Sequence, residues 1–447
     1  MPTPARRAAF AILLRVETQA SFASELLHGE LTQRLTERDA ALCTELVLGS
    51  LRWQGTLDFI ARSFAAGKWE RFDPEVRVAL RLGLYQLRFL SRIPASAAVD
   101  EAVELVKGAG KTSAAGLVNA VLRKASPAEL AALRPSEMSE VEWASIETSH
   151  PRWLLERWWQ HWGAEQAVAL ARANNQPPVT FVRSNSSATM EELAQTLLRE
   201  AVETAPGHLL RSALAVRSGS VTRGESYRRG AVVIQDEASQ LVPHFLDGQE
   251  GQRVLDLCAA PGNKTGLLVQ WAGPSGMVVA GDLHLHRLRQ LLLPPSPANI
   301  HRVALDGEQP LPFRAAFDRV LVDAPCSGTG TLRRNPELKW RLKPSDIPRM
   351  AETQGRLLHN AAVVLKPAGR LVYSTCSLEW EENQGAVERF LQAHPEFRML
   401  PLRDDAARLR PFLQPNGERL LAADFLEISP AREATDGFFA AILIKNA

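Results

Sequence analysis

The chain has few cysteines, no long apolar run and almost no net charge. Four cysteines in 447 residues cannot supply a disulfide scaffold. None stands in a CxxC pair or beside histidines at ligand spacing, which argues against zinc or any other bound metal. No apolar run approaches the ~20 residues that a membrane helix needs. The start, Met1-Pro-Thr-Pro-Ala-Arg-Arg7, leads into a patterned, charged helix instead of a signal peptide's apolar core. The expected setting is therefore cytoplasmic, with no membrane partner. A net charge of +2 gives no bulk signature of nucleic-acid binding, so any basic surface has to be local. Internal repeats and low-complexity tracts are missing as well. What is present is 45% apolar and 23% charged, an ordinary globular composition in a chain long enough for about two to three domains.

Residues 1–130 read as all-helical. Phe10, Leu13, Leu14 and Val16 mark one buried stripe, and Leu42, Leu46, Val47 and Leu51 a second. Pro74 suits a first helical turn; after it Val76, Leu80, Leu84, Leu87 and Leu90 recur at three-to-four spacing, with Arg77, Arg81 and Arg88 off the stripe. Such arginines fit an RNA-binding face, although charged faces are usually only solvated. Cys43 lies within a helix and is most simply core. A boundary falls near residues 126–141. The tryptophans of Arg152-Trp-Leu-Leu-Glu-Arg-Trp-Trp-Gln-His-Trp162 are interleaved with basic groups; they can stack on bases but more simply serve packing. Residues 145–225 form a small mixed α/β element.

From residue 226 to 447 the pattern becomes strand, glycine-rich turn, helix, repeated. Strands are expected at Arg253–Cys258, Met277–Asp282, Arg302–Asp306, Arg319–Asp323, Gly369–Cys376 and Gly437–Lys445. Short apolar strands alternating with helices mean a doubly wound, mainly parallel sheet, whose ligands sit beyond the strands' carboxyl ends.

Two turns there carry chemistry. In Asp256-Leu-Cys-Ala-Ala-Pro-Gly-Asn-Lys-Thr265 small residues let a ligand approach the amides of a helix start. The stretch is neither a phosphate loop, since Asn263 separates glycine from lysine, nor a GxGxxG dinucleotide turn. Asp282 ends the second strand, where an acid can accept from ribose hydroxyls, and Asp306 ends the third, where it can receive an adenine amino group. Together these favour a phosphate-free, adenosine-containing ligand, S-adenosylmethionine. The second turn, Val320-Leu-Val-Asp-Ala-Pro-Cys-Ser-Gly-Thr-Gly-Thr331, delivers Asp323 and Cys326 at a strand end, and Thr375-Cys-Ser377 delivers another thiol, Cys376. A lone cysteine at a strand corner is usually packing, but two are hard to explain that way. A methyl donor beside strand-end thiols suits methylation of a carbon that is not itself nucleophilic, such as pyrimidine C5. Thiolate addition to C6 makes C5 enamine-like, and a base must later remove the C5 proton. Asp323 is placed to hydrogen-bond the base, which must leave its stack to be reached.

At these residues the chain resembles the RNA cytosine-C5 methyltransferases: Cys258-Ala-Ala-Pro-Gly-Asn-Lys-Thr265, Asp323-Ala-Pro-Cys-Ser-Gly-Thr-Gly330 and Ser374-Thr-Cys-Ser377 look like their motifs. Gln235-Asp-Glu-Ala-Ser-Gln240 and Asp436-Gly-Phe-Phe439 are similar to the flanking ones. The helical part, with Leu117-Val-Asn-Ala-Val-Leu-Arg123, resembles the NusB-like domain of one branch, the RsmB/Sun (Fmu) enzymes. The resemblance implies an all-α NusB-like RNA-binding domain followed by a Rossmann-like methyltransferase domain on a seven-stranded sheet. It implies S-adenosylmethionine as donor and small-subunit ribosomal RNA as substrate; a monomer is expected, although the sequence does not fix oligomeric state. It assigns Cys376 as nucleophile, Cys326 as the thiol aiding product release, and donor contacts to Cys258, Ala259, Ala260, Pro261, Gly262, Asn263, Lys264, Asp282, Asp306 and Asp323. Asn263 stands where the family has a second glycine; if φ is positive there, asparagine is the least costly replacement. Arg333-Arg-Asn-Pro-Glu-Leu-Lys339, directly after the Cys326 turn, is expected to be a basic loop for RNA phosphates.

Three alternatives remain open at this point: a non-catalytic NusB-like antitermination module, the same chemistry on tRNA, and a nicotinamide-dependent oxidoreductase, which the missing glycine fingerprint disfavours.

Overall fold

The computed structural model describes residues 2–65, 69–186, 188–291, 293 and 299–447. The chain divides into two compact units: Met1–Pro177 with Leu332–Leu342, and Pro178–Thr331 with Lys343–Ala447.

The first unit is helical. Its central helix, Pro74–Phe89, begins with proline at the first turn, where the missing N–H has no partner to lose. Val76, Leu80 and Leu84 are buried as the stripe requires, but so are Val78, Ala79, Leu82 and Tyr85. The helix is enclosed nearly all round, so the arginines expected on an open face are drawn in. Arg81 is 9% exposed and pairs with Asp58 at 2.6 Å and Glu17 at 2.7 Å. Arg77 shares Glu17 at 2.7 Å, and Arg88 donates to the carbonyl of Ala125 at 3.2 Å. These three arginines hold the helical core together and are not a free basic surface. The helix Gln54–Phe64, which the apolar pattern did not predict, adds Leu57 and Ile60 to that core. Of the tryptophan cluster, Trp158 is fully buried, with His150 and Trp162 packed against it.

The segment Leu332–Leu342 belongs to this helical unit although chain on both sides belongs to the other. The expected basic loop is thereby corrected. Arg333 is 5% exposed and Lys339 0%. Lys339 Nζ donates to the carbonyls of Arg52 at 2.7 Å and Ser149 at 2.8 Å, and to Asn175 Oδ1 at 3.1 Å. Glu337 accepts from the Ala23 amide at 2.9 Å, and Trp340 Nε1 donates to the Leu51 carbonyl at 3.1 Å. No phosphate reaches a lysine held in this way.

The second unit has two sheets. Strands β1 (Phe181–Ser184), β2 (Glu203–Pro206), β3 (Leu214–Ser218) and β4 (Val232–Ile234) form one in the order β2-β3-β1-β4, all antiparallel. The other contains β5 (Arg253–Asp256), β6 (Met277–Asp282), β7 (Ile300–Ala304), β8 (Phe317–Asp323), β9 (Leu365–Thr375), β10 (Phe397–Leu400), β11 (Leu426–Ile428) and β12 (Phe438–Lys445). Seven strands follow one another in the order β10-β12-β9-β8-β5-β6-β7, and β11 pairs with β12 off that path. From β7 to β9 every pairing is parallel, whereas β12 is antiparallel to β9, β10 and β11. Val254, Leu255, Val320, Leu321, Leu371 and Val372 are all buried to within 2%, as expected for strands covered on both faces. The chain leaves β5 toward β6 on one side and reaches β8 on the other, so a crevice opens beyond the carboxyl ends of β5 and β8.

Candidate active site

Three loops meet at that crevice. After β5 the chain runs through Leu257 to Gly262 into the helix Asn263–Ala272. The left-handed residue at this helix start is Gly262, with φ 100°, a conformation glycine adopts without strain. Asn263 follows as an ordinary helical residue, so the condition of a positive φ is not met there, and the left-handed position lies one residue earlier. The loop is pinned by its neighbours: the Ala259 amide donates to the Gly281 carbonyl at 2.8 Å and Arg183 donates to the Asn263 carbonyl at 2.6 Å. Ala260-Pro261 is a cis peptide. Cys258 belongs to this loop, its thiol pKa raised well above the ordinary value by burial and then by Asp256, Asp323 and Asp282.

Asp282, at the end of β6, is 7% exposed. Its carboxylate accepts from the His284 amide at 3.0 Å and the Ala260 amide at 3.3 Å, and Arg287 lies 3.7 Å away. It therefore ties the second strand's end to the first loop. Strand β7 ends at Ala304, two residues before the expected position, so Asp306 stands in the turn beyond it. There it is exposed, accepting from the Glu308 amide at 2.9 Å.

At the end of β8, Asp323 accepts from Lys264 Nζ at 2.6 Å and Ser374 Oγ at 2.7 Å, so one carboxylate joins the first loop, β8 and β9. The Lys264 ammonium also lies 5.0 Å from the Phe438 ring centre. Asp236, capping the helix Glu237–His244, accepts from Thr435 Oγ1 at 2.5 Å and the Asp436 amide at 3.4 Å. The stretches beginning at Gln235 and Asp436, far apart in sequence, are thus bonded to each other.

The thiols of Cys326 and Cys376 are 3.2 Å apart and both half-buried. Proline after β8 supplies no ladder N–H, so the chain turns and returns along β9: the Gly330 amide donates to the Cys376 carbonyl at 2.9 Å and the Gly437 amide to the Gly330 carbonyl at 2.8 Å. A Cβ on Gly330 would stand 2.3 Å from the Gly437 carbonyl oxygen, which accounts for glycine there. The hydrogen bond to Cys376, and then burial, push the Cys326 thiol pKa well up.

Beside the thiol loops lies Glu382, fully buried; nothing in the sequence singles it out from the acidic run Glu379-Trp-Glu-Glu382. Ser327, Ser374 and Ser377 are likewise site residues that the residue pattern did not single out.

Asp256 closes the floor. It is 1% exposed, accepts from Thr265 Oγ1 at 2.7 Å, and its pKa is pushed up to about 7 by burial. Unfolded, it would titrate near ~3.9. Between those values the folded protein binds the extra proton, so this group's contribution is fully present below pH ~4 and lost as pH rises through ~7. Without ligand, denaturant melts of the parent at pH 5 and 8 should differ by a component that Asp256→Asn removes. An unchanged difference would place the charge elsewhere.

A sheet of this order, with an antiparallel strand beside β9 and a tight glycine turn opening the first helix, is the fold of an S-adenosylmethionine-dependent methyltransferase. Residues 243–444 match the model of the 16S rRNA methyltransferases RsmB/F, residues 3–127 the NusB family, and residues 150–222 the ferredoxin-like domain of RsmF/B-like methyltransferases. The chain is 34% identical over 451 residues to the probable ribosomal RNA small subunit methyltransferase B of Bacillus subtilis, covering 98% of each. It is 36% identical over 426 residues to ribosomal RNA small subunit methyltransferase B of Pseudomonas putida, covering 93% of this chain and 92% of that one. The crystal structure of PH0851 is similar with TM-score 0.82 at 25% identity, covering 100% of this chain and 99% of that one. The chain belongs to the ribosomal RNA small subunit methyltransferase B family.

Proposed function

We propose that the chain transfers a methyl group from S-adenosylmethionine to C5 of a cytosine in small-subunit (16S) ribosomal RNA, through a covalent cysteine–C6 adduct. The observation that carries this reading is the pair of strand-end thiols 3.2 Å apart beside the Lys264–Asp323 pair.

The residues of the first loop fit the donor. Asp256 Oδ1 and Asn263 Oδ1 are buried acceptors without a partner among the described residues, and such atoms call for a donor group to satisfy them; the ammonium of an amino-acid moiety is one. Cys258 through Lys264, with Asp282, Asp306 and Asp323, would hold S-adenosylmethionine, which supplies an electrophilic methyl group when bound.

The chain's own residues do the rest. Cys376, as thiolate, adds to C6 of the flipped base, and the electron pair displaced from the C5–C6 double bond makes C5 the nucleophile. Asp323, fixed by Lys264 and Ser374, hydrogen-bonds the base and holds the adduct. After methylation a base takes the C5 proton, the electron pair of that C–H bond re-forms the C5–C6 double bond, and the C6–S bond breaks with its electron pair returning to Cys376. Cys326 is placed beside the attacking sulfur to assist this release.

The test is transfer from methyl-labelled donor to ribosomal RNA taken from a strain lacking the protein, with bisulfite mapping of the product. A new 5-methylcytosine in small-subunit RNA supports the reading. Label in tRNA alone would move the substrate to tRNA. No label in any RNA, from folded protein that binds S-adenosylmethionine, would favour a binding module of the NusB kind.

A further inference from the structure

Glu382 has no part in the chemistry above, yet it lies at the centre of the thiol pair's support. It ends the short turn Trp380–Glu382 and is fully buried. One carboxylate oxygen accepts from the Ser327 amide at 2.8 Å and Gln354 Nε2 at 3.0 Å; the other accepts from Ser377 Oγ at 2.8 Å and from Ser327 Oγ. The two serine hydroxyls are 3.1 Å apart. None of these partners is a cation. A buried carboxylate without a counter-charge is expensive, and here burial raises its pKa while the hydrogen bonds pull it back.

The sequence positions of its partners suggest why such a group is kept. Ser327 directly follows Cys326 and Ser377 directly follows Cys376. The loops come from different strands, β8 and β9, and each thiol is one residue from a hydroxyl on the same carboxylate. A side chain that grips both loops sets the spacing of the sulfurs, and Glu382 does so through Oε1, which accepts from both serine hydroxyls, while Oε2 adds the Ser327 amide.

We propose that Glu382 is a positioning residue: it clamps the Cys326 and Cys376 loops together and so sets the thiol–thiol spacing that the covalent cycle requires. This rests on the proposed cysteine chemistry for its purpose, but the clamp itself is a matter of geometry. It acts through the two serines and does not touch substrate. The feature that matters is the simultaneous reach to both loops, more than the charge. Glutamine has the same length, and the serine hydroxyls can reverse to accept from its amide. Aspartate keeps the charge but is one methylene too short to bridge.

The spacing is readable without RNA. Diamide oxidises two adjacent thiols to a disulfide, taking up their two electrons and two protons, and the rate depends on how readily the sulfurs close to ~2.05 Å. The parent is expected to form a Cys326–Cys376 disulfide rapidly, mapped by peptide mass. Glu382→Gln should stay within about threefold of that rate, and Glu382→Asp and Glu382→Ala should fall by about tenfold or more; kcat for methyl transfer should follow the same ranking, by up to about a hundredfold, as misplacement by an ångström can cost. Donor affinity should change less than twofold in all three, which also certifies the fold. Ser377→Ala, which removes one grip, should fall between glutamine and alanine.

Disulfide formation in Glu382→Ala at the parental rate, with donor binding intact, overturns the clamp. So does the reverse ranking, aspartate above glutamine, which would make charge the operative property. If no RNA adduct forms with the parent or with Cys326→Ala, the covalent reading fails, while the disulfide rates still decide the clamp.

Discussion

Cys326→Ala is expected to leave the protein fastened to its own RNA. The attacking sulfur, Cys376, is untouched by this substitution, so addition to C6 and methylation of C5 proceed. What is lost is the group 3.2 Å away that helps the adduct collapse. Denaturing gels should then show a slow-migrating protein–RNA band that accumulates one-for-one with enzyme, and turnover should stop after the first methyl group. Cys376→Ala should show no such band and should lose transfer by on the order of 10⁴-fold, the scale on which removal of a covalent nucleophile is felt. Both variants keep the loop geometry, because the Gly330 amide bonds the Cys376 carbonyl, not its side chain. If Cys376→Ala traps RNA and Cys326→Ala does not, the roles are exchanged. If neither traps and both retain transfer, the chemistry is not covalent.

The second large effect lies outside the crevice. Lys339→Met should destabilise the helical unit by about 3–5 kcal/mol, through loss of a buried donor group whose acceptors remain. The three acceptors of Lys339 are two main-chain carbonyls and Asn175 Oδ1, none of which can turn to water from where it is. Methionine fills the volume but donates nothing. The cost is therefore electrostatic and not a cavity. Burial and then the Arg52 charge hold the Lys339 pKa well below its usual value, so this amine is kept for its hydrogen bonds and not for a charge. In a chain of two units, unfolding need not be one transition; the expected result is a lower midpoint for the helical unit and an unmoved midpoint for the transferase sheet. Equal melting of parent and variant would mean that the three carbonyl-type acceptors find other donors.

How much of this could be read from residues depends on where each determinant lies. The transferase strands were legible because a parallel strand covered on both faces has to be a continuous apolar run, and Pro325 and Gly262 mark where the chain must turn. The short strands Phe397–Leu400 and Leu426–Ile428 were missed. They owe their pairing to β12 more than to any pattern of their own. Asp306 was expected two residues too early in the sheet, since register is set by the neighbouring strand β6 and not by the acid. The basic stretch Arg333–Lys339 was misjudged for a similar reason: a lysine has the same symbol whether its ammonium meets water or the carbonyls of Arg52 and Ser149. The two thiols were visible from Cys326 and Cys376 standing at strand ends. Their support by Glu382 was not, because nothing local distinguishes it from Glu379 and Glu381 beside it.

The interleaving of the chain has a consequence for the order in which the protein is made. The helical unit comprises residues 1–177 together with 332–342, so its last piece is translated after strands β1 to β8 of the other unit. At about 5–20 residues per second, the nascent helices wait on the order of ten seconds or more for Lys339 to arrive. Until then the carbonyls of Arg52 and Ser149 are satisfied by water. The amino-terminal unit, although first off the ribosome, is completed only after β5 to β8, half of the strands of the catalytic sheet, have been made. Completion in this protein therefore runs against the direction of synthesis, and Leu332–Leu342 is the stretch whose arrival times it.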